Sequence, residues 1–426
     1  MILIKGGVRV AANRRLHWAW VILAICFVDL FVNYSVRLGY GVVLPEMIRN
    51  LGFGRAAGGS IYNAYLFTYI IITPFTGYLT DRLGARRVIT ICLLILGSAV
   101  ILMGTVNTFW SACLFFGIAG LGATGLWVPI LTLVQRWFAF HRRGFALGIL
   151  STGFGLGFAT IGAVFPWIVK YFNWRYAWFY LGAMALAMVA INGLLLRSDP
   201  VAAGVQPWGE KPDNAAGSIR RRKNAIPQRL SLSSLFSNSR FLWIGSSYFA
   251  VAYALYGITT FMVDYAKFQL NLPLEKASLL ATIHGICQIA GVLTVLPLSD
   301  YLGRKKTIVI SNIIITGCLA LILLSGESLV MLYFSIGCLA IFYGATFPIY
   351  GACAGDYFPR EVMGTVMGAW TPFYGLGAIV SHWVTGLLRD ATGVYNHAFI
   401  INVVMSALAV VLISMVRKRG KMPKVR

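Results

Sequence analysis

Twelve apolar runs set the terms on which this chain can fold. They fall at 17–45, 56–80, 88–107, 109–136, 144–170, 175–196, 241–266, 277–299, 307–325, 328–355, 363–388 and 397–416. At 1.5 Å per residue, a helical run of about 20 residues or more crosses the roughly 30 Å of hydrocarbon in a bilayer. Backbone N–H and C=O groups there must be satisfied within the segment, so each run is expected to be a helix. Soluble helices would need polar faces, and only 12% of the 426 residues are charged. The expected fold is all-α, a membrane protein of twelve transmembrane helices.

The net charge of +23 could suggest a nucleic-acid partner, but the placement of the charge excludes that reading. Numbering the ends alternately, only Arg49, Arg55, Lys170, Arg175, Lys267, Lys276 and Arg389 fall on one side. Arg37 lies inside a run, and every other lysine and arginine falls on the side of the two termini. Basic residues accumulate on cytoplasmic loops, so both termini are expected in the cytoplasm of a cell membrane, a bacterial inner membrane being the leading expectation. Lys5 to Arg15 and the apolar run after them imitate a signal peptide. That run is too long and lacks a small-residue cleavage site, so it is expected to stay as the first helix. Seven cysteines lie inside apolar runs without a CxxC pair, which suits small core residues rather than disulfides or metal ligands.

The one long polar stretch, 197–240, divides the helices six and six. The expected organisation is a six-helix bundle over 1–196, a cytoplasmic linker over 197–240 and a second bundle over 241–426. The halves repeat one another. Asp81-Arg82-Leu83-Gly84 after the second helix is echoed by Asp300-Tyr301-Leu302-Gly303 after the eighth, at an offset of 219. Gly144, Gly148, Gly155 and Gly157 of the fifth helix are echoed by Gly364, Gly368, Gly375 and Gly377 of the eleventh, at an offset of 220. Duplicated bundles with a site near the midplane are a carrier architecture. In the loop turns, Asp81, Arg82, Arg86, Arg142, Asp300 and Arg304 form an expected conformational latch, making charge contacts in one state and releasing them in another.

Arg37 lies in the middle of the first run. An intramembrane cation is costly and usually faces a cavity on a substrate path. Asp29, Asn33 and Arg37 follow one another every four residues, drifting only about 40° per step, and so form one polar stripe. Asp29 and Arg37 stand about 12 Å apart along the axis, too far for an ion pair. Asp29 is either a protonatable group or a structural acceptor. His284, Cys287, Gln288 and Gly291 share a face of the eighth helix, and His284 is a candidate proton relay or a packed core residue. Asp264, in the last turn of the seventh helix, is a third proton candidate or, on the plainer reading, a solvated helix-end acid. Adding the repeat offset of 219 to Arg37 gives Tyr256, with Tyr253, Thr259 and Thr260 nearby. A guanidinium opposite a hydroxyl suits one carboxylate on a small, partly apolar body. The alternative is a structural arginine that bonds carbonyls between helices. The expected substrate set is Arg37, Asn33, Tyr65, Tyr69, Tyr256, Gln288, Tyr350 and Tyr374, with Trp127, Phe154, Tyr343 and Trp370 as further wall candidates. The Gly153-Phe154-Gly155-Leu156-Gly157 run lies inside a helix with no strand before it and is no nucleotide loop.

Gly77-Tyr78-Leu79-Thr80-Asp81-Arg82-Leu83-Gly84-Ala85-Arg86-Arg87 resembles the loop 2–3 signature of the major facilitator superfamily, and the turn at Asp300 resembles its second copy. Within that superfamily, Asn33 to Val42 resembles the first helix of the monocarboxylate transporters, where a Lys or Arg occupies the position of Arg37. Tyr265 to Gln269, then Glu275 to Leu280, is similar to the turn between helices 7 and 8 of that family, and Arg136-Trp137-Phe138 with Arg142 to Gly148 resembles its loop 4–5. The resemblance implies the major facilitator fold, no cofactor, and a monomer that carries a small carboxylate with a proton by alternating access, lactate- and pyruvate-like acids leading. One departure matters. The family often carries an Asp and an Arg on helix 8, where this chain has Cys287 and Gly291. Its proton coupling therefore does not transfer intact. An anion exchanger of the oxalate/formate type and a polyspecific drug–proton exporter stay as alternatives. An enzyme does not, for no nucleophile–base pair or metal spacing is found.

Overall fold

The computed structural model describes residues 17–200, 203–209, 235–326, 328–358 and 363–416. Among the described residues twelve long helices follow in chain order. The first half holds α1 Trp18–Leu51, α2 Arg55–Leu83, α3 Ala85–Met103, α4 Phe109–Trp137, α5 Arg143–Tyr171 and α6 Arg175–Leu195. The second holds α7 Ser239–Gln269, α8 Leu274–Leu302, α9 Arg304–Leu324, α10 Leu329–Tyr357, α11 Met363–Thr392 and α12 Asn396–Ser414. Among the described residues the only β pairing is an isolated bridge between Phe138 and Trp208. Among the described residues ten helices are long and apolar enough to cross a membrane; α2 and α11 fall outside that set.

The packing obeys the repeat. In the first half α1 lies on α5 and α6, α2 on α4, and α3 on α4 and α6. In the second, α7 lies on α11 and α12, α8 on α10, and α9 on α10 and α12. The halves meet mainly along α5 with α8 and α2 with α11, two contacts that the repeat exchanges for each other. The chain is thus a pair of pseudo-symmetric six-helix bundles. Both repeat turns end a helix on glycine at positive φ, Gly84 at 85° and Gly303 at 87°, a region that a side chain disfavours. Each glycine N–H bonds the carbonyl four residues back, Thr80 and Ser299 respectively.

The repeated glycines do two different jobs. A Cβ on Gly155 would sit 2.3 Å from the Gly285 carbonyl oxygen across the α5–α8 contact, and one on Gly375 would strike Ile70 across α2–α11. Gly157 and Gly377 instead admit the backbones of α1 and α7 within their own halves. Gly144, Gly148 and Gly368 have open space around them, so close packing does not explain those members of the register.

Regularity breaks where the halves meet. In α4 a 3-10 turn, Thr124–Leu126, precedes Pro129, whereas α10 runs unbroken through Pro348 at the same repeat position. In α7 the helix loosens after Thr259 and finishes as a π-turn over Tyr265–Gln269.

Candidate functional site

Arg37 projects from α1 between the halves. Its Nη2 donates a 2.8 Å hydrogen bond to the Tyr256 hydroxyl on α7. The guanidinium carbon lies 5.0 Å from the ring centre of Tyr69 and 5.8 Å from that of Tyr34. The side chain is 8% exposed, its Nε has no partner, and no carboxylate pairs with it among the described residues. A guanidinium has five N–H donors. This one is ringed by phenols, bonded to Tyr256 with the hydroxyls of Tyr34, Tyr62 and Tyr69 close by, and its unpartnered Nε leaves a donor for a further acceptor.

The local sequence sets that position. Ser35 Oγ donates to the Gly157 carbonyl on α5, and Tyr40 donates to the Gly58 carbonyl on α2, so α1 is pinned on both sides of Arg37. Tyr34 stacks on Phe154 at 4.4 Å. Tyr62, Tyr65 and Tyr69 follow along α2; the last two are parallel, with ring centres 6.3 Å apart. From the other half, Tyr374 meets the Tyr256 ring edge-on at 5.7 Å. The hydroxyls of Tyr62 and Tyr65 and the Oδ1 of Asn33 are buried without partners.

Two members of the expected set are less directly placed. The Tyr350 hydroxyl is shared between Ser247 (2.6 Å) and Asn312 (3.2 Å), and its ring reaches Tyr374 through Tyr248. Gln288 is buried on α8 against Gly344, with its Oε1 unpartnered. Trp127 packs between Phe154 and Phe347, whereas Trp370 donates to the Phe241 carbonyl deep in the second half.

The three proton candidates stand apart from Arg37. Both Asp29 oxygens accept from the Asn192 amide of α6, at 3.1 and 2.9 Å. His284 is fully buried between Phe158 and Tyr343, and neither ring nitrogen has a partner. Asp264 is not the solvated helix-end acid of the plainer reading. It is fully buried, and its Oδ2 accepts from Arg55 Nε (3.2 Å) and Tyr395 (2.5 Å). The seventh helix runs past it as a π-turn, and Arg55 of α2 and Tyr395, just before α12, cover it.

Contacts between the halves continue from Arg37 toward the α1–α2 loop. Asn63 of α2 donates to the Ile379 carbonyl and faces His382 of α11, which also meets Thr260 of α7. Beyond them Asp390 holds the start of α2, and the buried Glu46 pairs with Lys267 and with Arg49. Neither His382 nor Glu46 belongs to the expected set. His284 and His382 are the two histidines away from the ends of the apolar runs, and that placement is the signal the sequence offers for His382.

At the opposite end the latch residues meet partners in their own half or, for Arg142, in the segment that follows it. Arg86 donates to the Gly193 carbonyl, Arg82 lies over Tyr78, and Arg142 lies over Trp208. Arg304 joins Asp300 (3.4 Å) and Asp356 (3.1 Å). The side chain of Asp81 lies outside the described residues.

Comparison with known proteins bears on this geometry. The family model of the Major Facilitator Superfamily matches residues 23–277 and 244–426. The chain is 22% identical to a probable galactarate/D-glucarate transporter of Escherichia coli (strain K12), over 91% of this chain and 92% of that protein. It is 21% identical to a hexuronate transporter of Bacillus subtilis (strain 168), over 92% and 93%. It is 23% identical to a probable sulfoacetate transporter of Cupriavidus necator, over 92% of each. Its fold matches the crystal structure of a bacterial homolog of the human lysosomal transporter Spinster with a TM-score of 0.73 at 15% identity, over 94% of this chain and 97% of that one.

Proposed function

This chain belongs to the Major Facilitator Superfamily and is a multi-pass membrane transporter, not an enzyme; from that premise we propose that it carries a small organic anion by gripping one carboxylate between its halves. The observation that carries the reading is the bond from Arg37 to Tyr256, which puts a buried cation with an unpartnered Nε on the boundary between the bundles. A guanidinium offers two parallel N–H groups to a carboxylate. Tyr256 offers a hydroxyl from the other side, so bound substrate touches both halves at once. A ligand bridging two bodies can bias their relative tilt only through contacts that differ between states, and this bridge supplies them.

The surroundings favour a monocarboxylate with hydroxyl groups. One cation serves one carboxylate. The unpartnered hydroxyls of Tyr62 and Tyr65 and the Asn33 oxygen suit substrate hydroxyls, and the rings of Tyr34, Tyr69 and Phe154 suit a carbon skeleton. The relatives named above for galactarate, glucarate, hexuronate and sulfoacetate support an organic acid. A lactate-like hydroxy acid supplies the carboxylate and one hydroxyl, and a longer hydroxy acid such as glucuronate would engage more of these groups. The bundles over 1–196 and 241–426 act as the moving bodies in a monomer, joined by the segment 197–240. The distribution of basic residues supports cytoplasmic termini in a bacterial inner membrane.

Transport is coupled to a proton in this account. Anion exchange is the second reading, and Arg37's lack of a neighbouring acid favours it. The drug-exporter alternative loses its basis, because Asp29 faces Asn192 rather than a wide apolar cavity. The test is uptake into proteoliposomes of radiolabelled lactate, pyruvate, glucuronate, glucarate and sulfoacetate, with and without a pH gradient. Uptake of a monocarboxylate that rises with an inward proton gradient supports the account. Uptake of none of these acids would refute it.

A further inference from the structure

His382 is a fully buried titratable group with no assigned role, and it sits where α2, α7 and α11 meet. Its Nδ1 is 2.7 Å from Asn63 Oδ1, and its Nε2 is 2.9 Å from Thr260 Oγ1. Asn63 Nδ2 donates to the Ile379 carbonyl at 3.0 Å. Only the amide nitrogen can donate to a carbonyl, so the Asn63 oxygen must face the ring, and Nδ1 must carry the hydrogen. Nε2 is then the free base. A threonine hydroxyl both donates and accepts. It gives its hydrogen to Nε2 when the ring is neutral and accepts from Nε2–H when the ring is charged. The site can therefore take up or release one proton without moving a heavy atom.

Its neighbours tie that proton to the anion. The His382 ring stacks on Tyr62 at 4.7 Å and meets the Tyr256 ring edge-on at 5.7 Å. Tyr256 in turn holds Arg37. The facing groups that titrate or carry charge are Tyr62 from α2, Tyr256 from α7 and, behind Tyr256, Arg37 from α1. The acid on this part of α7, Asp264, lies beyond Phe261 and is held by Arg55 and Tyr395. With Arg37 unoccupied, a second positive charge one ring away is opposed. Burial opposes the imidazolium most, and unoccupied Arg37 opposes it further; a carboxylate on Arg37 removes the second opposition, and water admitted as α2 parts from α7 and α11 relieves the first. By linkage the proton strengthens carboxylate binding in equal measure.

Resting on the proton-coupled reading above, we propose that His382 is the residue that binds the co-transported proton, with Asn63 and Thr260 as its positioning residues. Its bonds also join the halves, so separating α2 from α7 and α11 at this level opens the proton site together with the carboxylate site.

The test uses full-length protein in proteoliposomes with radiolabelled lactate and glucuronate as probes. Two readouts are taken: accumulation driven by a pH gradient, and counterflow at equal pH. His382→Gln is expected to lose accumulation while counterflow persists. Should that variant aggregate, Thr260→Val keeps the ring and strips its Nε2 partner. The external pH for half-maximal accumulation is then expected to move, and an unmoved profile overturns the assignment. If wild type exchanges these acids but never accumulates them, the proton-coupled reading falls and this assignment with it. If wild type accumulates and His382→Gln accumulates equally, only the assignment to His382 falls.

Discussion

The carboxylate of Asp390 near the end of α11 accepts the backbone N–H of Arg55 (2.9 Å) and of Ala56 (2.8 Å) at the start of α2. An acid from one half thus caps a helix of the other. Gly54 makes room for it, since a Cβ there would lie 2.5 Å from the Asp390 Oδ2. A carboxylate at a helix N-terminus satisfies orphan donors and meets the positive end of the helix dipole. Losing such a cap costs about 1 kcal/mol, or about fivefold in a two-state population. Asp390→Ala is therefore expected to favour opening at the α1–α2 end, read as faster thiol labelling of a single cysteine placed at Ser60 in a cysteine-free background. Unchanged labelling would leave the cap without a gating role.

Asp264 lies beneath the same gate. Asp264→Asn leaves the part-exposed Arg55 without its partner and weakens the bond from Tyr395. Breaking a wholly buried pair costs about 3–5 kcal/mol, and exposure of one partner lowers that, so a loss of up to about 3 kcal/mol is expected. The thermal unfolding midpoint of purified protein should fall. A variant as stable as wild type would show that the pair contributes no net stability.

The helices and the repeat were legible because both are written locally. Bilayer thickness imposes the length of each run, and the shared turn forces Gly84 and Gly303 into the same positive φ. The repeat even located a contact: Tyr256, the residue one offset from Arg37, is its hydrogen-bond partner. What escaped was set by distant partners. Asp264 reads as a solvated end because Arg55 and Tyr395, which bury it, lie 209 and 131 residues away. His382 carries no local mark of its three-helix junction. Trp208, within a stretch that reads as linker, docks against Trp20 and Phe138; its N–H donates to the Trp137 carbonyl at the end of α4, and its carbonyl accepts from Ala139. No periodicity announces that docking.

Asp29 gives a contrasting expectation. Its carboxyl is bound to Asn192 within the first half and does not reach Arg37. Asp29→Asn preserves size and polarity at that position and is expected to keep pH-driven accumulation in proteoliposomes. Loss of accumulation with counterflow intact would transfer the proton from His382 to Asp29.

The α5–α8 contact leaves no space for a side chain at Gly155. Forcing one in typically costs about 1–3 kcal/mol through displaced backbone. Gly155→Val is expected to lower stability and slow transport, whereas Gly148→Ala, placed in open space, should do neither. Equal thermal midpoints for the two variants would contradict this view of the interface.

The central claim is that Arg37 binds the substrate carboxylate. The direct measurement is the affinity of purified, monodisperse protein for the acid that wild type transports, by calorimetry, in wild type, Arg37→Lys and Arg37→Gln. Removing one partner of a desolvated charge pair costs roughly 2–5 kcal/mol, and each 1.4 kcal/mol is about tenfold in affinity. Arg37→Gln should therefore lose more than tenfold. Arg37→Lys should keep part of the affinity, because a point charge retains the attraction without the two-pronged geometry. The uncharged amide of the same acid should bind wild type weakly and change little between variants. Wild-type affinity for the acid in well-folded Arg37→Gln would contradict the account and leave Arg37 a structural tie to Tyr256.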